Sequence, residues 1–169
     1  EADSQDLAVQ IFLEGQEITT PLRQESIGNK ASIVAKFPLV RENLLQRQRD
    51  FLPTQNYINL DSSPQAKKGL VADGRDMGTT IFPNAPLKVF LTASSQVRAE
   101  RRYKELLEKG FCVKIEQILS EVEARDERDR TRASSPLIPA DDAIIIDTST
   151  LTVNEVFKKV WQEVKRVGF

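Results

Sequence analysis

Residues Gly69 to Thr79 read GLVADGRDMGT, and the fold is decided here. Leu70, Val71 and Ala72 run into Asp73, Gly74, Arg75 and Asp76. A short apolar run that ends in a glycine turn predicts a buried parallel strand, Gly69–Asp73, with an arginine and two carboxylates at its mouth. In open α/β sheets, ligands bind at the carboxyl ends of strands. A fork-shaped cation beside paired acids suits a ligand with a phosphate at one end and hydrogen-bonding groups at the other. Alone, the segment reads more readily as an ordinary strand-to-loop exit with a surface ion pair.

A second stretch, Ala124 to Arg132, reads ARDERDRTR. At 3.6 residues per turn, Arg125, Arg128, Asp129 and Arg132 share an arc of roughly 100°. Three guanidiniums with one acid on one arc repel each other unless an anion joins them. On the opposite side Asp126 and Arg130 stand at i, i+4 and are expected to pair on the surface. The ordinary explanation of such a run is a solvated, salt-bridged helix face.

Elements alternate around these motifs. Val9 to Ile18, VQIFLEGQEI, predicts a hairpin about Glu14-Gly15. Helices are expected from about Ser26 to Lys36 and, after Pro38, from about Val40 to Phe51. Leu52 to Lys68 is polar, holds two prolines, lacks periodicity and reads as a loop. Leu87–Thr92 and Ala143–Asp147 are further short apolar runs, so three buried parallel strands are expected between helices. The last helix opens on the capping box Thr152-x-x-Glu155. Val153, Val156, Phe157, Val160, Trp161, Val164 and Val167 then form one stripe, which reads as core.

Composition narrows the classes. At 40% hydrophobic and 29% charged residues the chain can bury an ordinary core. No apolar run approaches the roughly 18 residues that span a bilayer, so no membrane partner and a cytoplasmic setting are expected. A net charge of −1 is not that of a nucleic-acid binder. With no histidine, His-based triads and zinc–histidine sites are excluded. The single cysteine, Cys112, excludes an internal disulfide and reads as a structural thiol.

GLVADGRDMGTTIFPNAPLKVFLTASSQVRAERR and EARDERDRTRASSPLIPADDAIIIDTSTL resemble the bacterial-type cytidylate kinase family of P-loop nucleoside monophosphate kinases. So does IFLEGQEITTPLRQESIGNKASIVAKFPLVRENLLQRQR, Ile11 to Arg49. The resemblance covers most of the chain in order. It implies an α/β fold, a parallel sheet flanked by helices with a small α+β substrate-binding domain. Residues 1–51 would belong to that small domain, 52–68 would be a polar insertion, and 69–169 would be the core, with a short lid at about 105–114. It also implies phosphoryl transfer from ATP with Mg2+ to CMP or dCMP by a monomeric enzyme.

The family's site residues carry over position by position. Ser32, Arg41 and Asp76 match the readers of the cytosine edge, Arg41 donating to the ring nitrogen and carbonyl while Ser32 and Asp76 accept from the amino group. Arg75, Arg125 and Arg132 match the arginines around the phosphates, and Asp129 the acceptor of the ribose hydroxyls. Arg101, between Arg98 and Arg102, matches a position that faces the phosphates. The family's Gly-rich loop ending in Gly-Lys-Ser/Thr, which cradles the donor phosphates, is not in these residues, which hold no Gly-Lys dipeptide. Gly69 to Arg75 mimics only its glycine spacing. The resemblance therefore implies a preceding P-loop segment, an inactive 169-residue chain on its own, and apolar sheet faces that such a segment would cover. A non-catalytic nucleotide-binding remnant and a protein-interaction domain stay open beside the kinase reading.

Overall fold

The computed structural model describes residues 10–22, 25–52, 70–108 and 110–168. It opens with a hairpin, β1 (Phe12–Leu13) and β2 (Gln16–Glu17), paired antiparallel with Phe12 opposite Glu17. Glu14 and Gly15 both take positive φ, 51° and 81°. A two-residue turn needs this if its twist is to match the strands, and glycine tolerates it best. Val9, the first residue of the expected hairpin, lies outside the described residues.

Three helices follow: α1 (Thr19–Leu22), α2 (Glu25–Val34) and α3 (Pro38–Arg49). Pro38 starts α3 where a missing N–H costs nothing, and Phe37 before it is extended, as a residue preceding proline prefers. The polar loop expected over 52–68 falls, from residue 53 onward, outside the described residues.

The remaining elements are β3 (Val89–Thr92), α4 (Ser95–Glu108), α5 (Ile115–Thr131), β4 (Ile144–Asp147) and α6 (Val153–Arg166). β3 and β4 pair in parallel, Val89 opposite Ile144 and Thr92 opposite Asp147. Parallel strands need a crossover, and α4 with α5 supplies it. The ladder continues one step beyond the strands, where the Thr148 amide and hydroxyl both donate to the Thr92 carbonyl, at 2.7 and 3.0 Å. α4 packs on α5, and α2 packs on α5 as well. The architecture is α/β, and α5 is its hub.

Three expectations are corrected. Of the strand expected over Gly69–Asp73, Gly69 lies outside the described residues, and Leu70–Asp73 is not a strand: it pairs with no strand among the described residues, and Val71 is 99% exposed. Composition alone does not make a strand without a paired neighbour, so among the described residues two parallel strands stand where three were expected. The α6 stripe is not core among the described residues. Val156, Val160 and Val164 are half-buried, whereas Val153, Phe157 and Trp161 are exposed. Phe157 and Trp161 stack on each other, with the Lys165 ammonium over the Trp161 ring. Cys112, read as a structural thiol, is exposed in the α4–α5 connection.

The α6 capping box is present as read, with Thr152 and Glu155 exchanging side-chain and backbone hydrogen bonds. Leu91 and Ile145 present exposed apolar side chains from the sheet. Among the described residues no helix is long and apolar enough to cross a membrane.

Between α3 and β3, Met77–Ile81 form a single π-helical turn in which Phe82 donates to Met77, five residues back, at 2.7 Å. Such turns often mark functional sites. Arg49 fixes this one by donating to the Thr80 and Ile81 carbonyls, each at 3.0 Å. Arg41, two turns earlier on α3, pairs with Asp76 just before the turn. α3 is therefore clamped at both ends to the segment that carries Arg75 and Asp76.

Candidate active site

Four of the five buried polar residues among those described cluster where α2, α5 and the Gly74–Asp76 turn meet. Ser32, Asp76, Asp126 and Asp129 are all buried, and Asp129 is 1% exposed. A carboxylate that far from water requires partners. Asp129 has three: Arg75 Nη1 at 2.6 Å, Arg132 Nη1 at 3.7 Å, and the Ser32 hydroxyl, which donates to Oδ1 at 3.0 Å. That last bond fixes the chemistry of Ser32. A carboxylate only accepts, so the hydroxyl proton is committed to Asp129 and Ser32 Oγ faces any ligand as an acceptor.

Arg128 reaches across to α2, donating to Asn29 Oδ1 at 2.9 Å and to Ser32 Oγ at 3.5 Å. Arg125 approaches the same helix at Gly28. A Cβ there would lie 2.9 Å from Arg125 Nη1, so only glycine admits the guanidinium at this distance. Arg41 donates to Asp76 in a close, mostly buried pair, which sets a cationic fork beside an acceptor.

Arg132 is a deeply enclosed cation, its side chain 4% exposed. Its Nε donates to the Ser135 carbonyl at 2.6 Å, while buried Nη2 meets no hydrogen-bond partner among the described residues. Burial and the neighbouring Arg41 guanidinium push its pKa below arginine's ordinary value, against the pull of Asp129 and Asp76. It remains a cation. Among the described residues, Arg41, Arg75, Arg98 and Arg132 thus share three carboxylates, Asp76, Asp126 and Asp129, with the Arg125 and Arg128 guanidiniums beside them against α2. Among the described residues positive charge is in excess, and two buried donors of the cluster, Arg41 Nε and Arg132 Nη2, meet no hydrogen-bond partner. An anion with several acceptor oxygens resolves both.

Of the residues expected from sequence, Ser32, Arg41, Arg75, Asp76, Arg125, Asp129 and Arg132 are brought together. Arg101 stands elsewhere in the bonding: it donates to Thr148 Oγ1 at 3.1 Å and to the Thr148 and Leu151 carbonyls, tying α4 to the loop after β4. The expected surface pair Asp126–Arg130 is corrected. Asp126 is 7% exposed and receives both Arg98 amino groups, with Arg75 Nη1 at 3.7 Å. Burial raises its pKa, but Arg98 outweighs that and, with Arg75 and Arg130, holds it below the ordinary carboxyl value. Arg98, Gly28 and Asn29 were also missed, because their partners lie on other helices and no local spacing reveals them.

The model of the cytidylate kinase family matches residues 1–166. The chain belongs to the cytidylate kinase family. It is 50% identical over 157 residues to a cytidylate kinase of Shewanella frigidimarina, covering 93% of this chain and 63% of that protein. It is 48% identical to that of Sodalis glossinidius, with 93% and 63% covered, and 47% identical to that of an Enterobacter species, with 91% and 62% covered. The chain thus spans a little under two thirds of these relatives' length. With the family comes the P-loop nucleoside monophosphate kinase fold, of which β3, β4 and the flanking helices are described here.

The family implies ATP with Mg2+ in general. The described residues do not fit a magnesium seat of their own: each site carboxylate is engaged by guanidiniums, and no group of three or more candidate ligands is assembled.

Proposed function

We propose that the protein carrying this chain transfers the γ-phosphoryl group of ATP to CMP or dCMP, giving the diphosphate. The observation that carries this reading is the buried Arg132 Nη2, without a hydrogen-bond partner among the described residues, in an arginine-rich cluster beside the Arg41–Asp76 pair, which offers both donors and acceptors. The cytosine edge presents an amino donor next to two acceptors. Ser32 Oγ and the Asp76 carboxylate would accept from the amino group, and Arg41 would donate to the ring nitrogen and carbonyl. Uracil lacks the amino donor and would leave a buried acceptor unpaired, at a cost of about 1–3 kcal/mol.

Arg75, Arg125 and Arg132 would hold the acceptor phosphate, and Asp129 would accept from the ribose hydroxyls once the ligand takes over its arginine partners. In transfer the same guanidiniums would stabilise charge spread over the phosphoryl oxygens, the largest share of the work in this reaction class. No nucleophilic side chain is required, because in-line transfer needs alignment and charge. Arg101, held at the end of β4, would serve the phosphates if α4 and the connection at about 105–114 close as a lid. Residues to 51 would form the acceptor domain, 52–68 an insertion and 69–169 the core of a monomeric, cytoplasmic enzyme that binds neither nucleic acid nor membrane.

Calorimetric titration with cytidylate, uridylate and cytidine tests the acceptor site. Tight cytidylate binding with weaker uridylate and cytidine binding is expected. Equal affinity for all three would remove both the base and the phosphate assignments.

A further inference from the structure

We propose that Asp126 is a positioning residue for Arg75, holding that guanidinium at the acceptor phosphate through an ion-pair chain anchored on α4. The inference rests on the cytidylate reading above. Arg75 stands on an irregular segment, and its side chain is 32% exposed, so its own backbone does little to aim it. Two carboxylates flank it: Asp129 at 2.6 Å and Asp126 at 3.7 Å, one helical turn apart on α5.

Asp129 is expected to exchange partners when a ribose arrives, so it cannot also be the fixed support. Asp126 can. Both its oxygens are taken by the two amino groups of Arg98, and Arg98 Nε donates to the Ala93 carbonyl at the end of β3, at 3.1 Å. A bidentate pair of this kind sets orientation as well as charge. The chain of contacts therefore runs from the carboxyl end of β3 through Arg98 and Asp126 to Arg75. It keeps the Arg75 fork in place while Asp129 changes partner.

The test titrates cytidine and cytidylate separately into the full-length protein, because the ratio of their dissociation constants reads the phosphate's share of binding. Asp126→Asn keeps the shape and removes the charge. It is expected to shrink that ratio roughly tenfold while cytidine affinity stays within about twofold, the scale of coupling inside one ion-pair network. Combined with Arg75→Lys, it should lose no more than the larger single effect. A merely structural role would give additive losses and overturn the proposal.

Arg98→Gln leaves the Asp126 charge but frees its orientation and should shrink the ratio in the same direction. It carries the test if Asp126→Asn does not fold. An unchanged ratio in these variants, with cytidylate still preferred by the wild type, would overturn this inference alone. A wild type that binds cytidine and cytidylate alike would overturn the functional reading and this inference with it.

Discussion

Gly28→Ala separates function from stability within one methyl group. Gly28 lies inside α2, where alanine is the better helix former by about 1 kcal/mol, so the substitution should leave the fold intact or slightly firmer. The added Cβ would stand 2.9 Å from Arg125 Nη1 and 3.6 Å from its Cζ. Ordinary contact begins near 3.4 Å, so the guanidinium must retreat by a few tenths of an ångström. The clash falls on the far end of a flexible side chain, which makes it cheap for folding and costly only for aim. A charge-assisted contact contributes on the order of 1.5–3 kcal/mol, and losing part of one should weaken cytidylate binding about tenfold. Calorimetry beside a thermal melt reads both quantities. The expected pair is weaker cytidylate binding with an unchanged or higher midpoint. Wild-type affinity in Gly28→Ala would refute the claim that Arg125, from its place beside Gly28, holds the acceptor phosphate.

Other substitutions address single contacts. Arg41→Met removes one half of the pair with buried Asp76 and should cost about 3 kcal/mol of stability, with cytidylate affinity lost by calorimetry; unchanged affinity would sink its role at the base. Arg132→Lys keeps a charge but not the planar fork, so kcat/KM for cytidylate should fall roughly tenfold or more; full activity would show that a point charge suffices. The Asp126 carboxyl is held below its ordinary value, so the stability it contributes is complete above about 3.9 and lost as pH falls through the folded value. Acid denaturation curves of Asp126→Asn should therefore be flatter below pH 4 than those of the wild type.

What sequence revealed and what it hid have physical causes. The hairpin about Glu14-Gly15, the α6 capping box and strands β3 and β4 are written in local chemistry: turn residues, a Thr-x-x-Glu spacing, short β-branched runs. The site arginines on α5 were legible as an overcharged arc, because periodicity alone puts Arg125, Asp129 and Arg132 together. Asp126 was not, since an i, i+4 partner on the same helix looked sufficient while its real partner, Arg98, sits on α4. Gly28 looked like an ordinary helical glycine, and only the packing of α2 against α5 shows what its missing Cβ admits. The Leu70–Asp73 run carries a strand's composition, but a strand also needs a neighbour, and composition does not supply one. The α6 stripe likewise marks a face that could be buried, without saying what would cover it.

The most direct measurement is a coupled assay of diphosphate formation by the full-length protein, supplied with ATP, Mg2+ and either cytidylate or uridylate. Steady turnover of cytidylate is expected, with much poorer turnover of uridylate and loss of activity in Arg132→Met. No diphosphate from cytidylate, or full activity without the Arg132 guanidinium, would contradict the assignment of this arginine cluster to phosphoryl transfer.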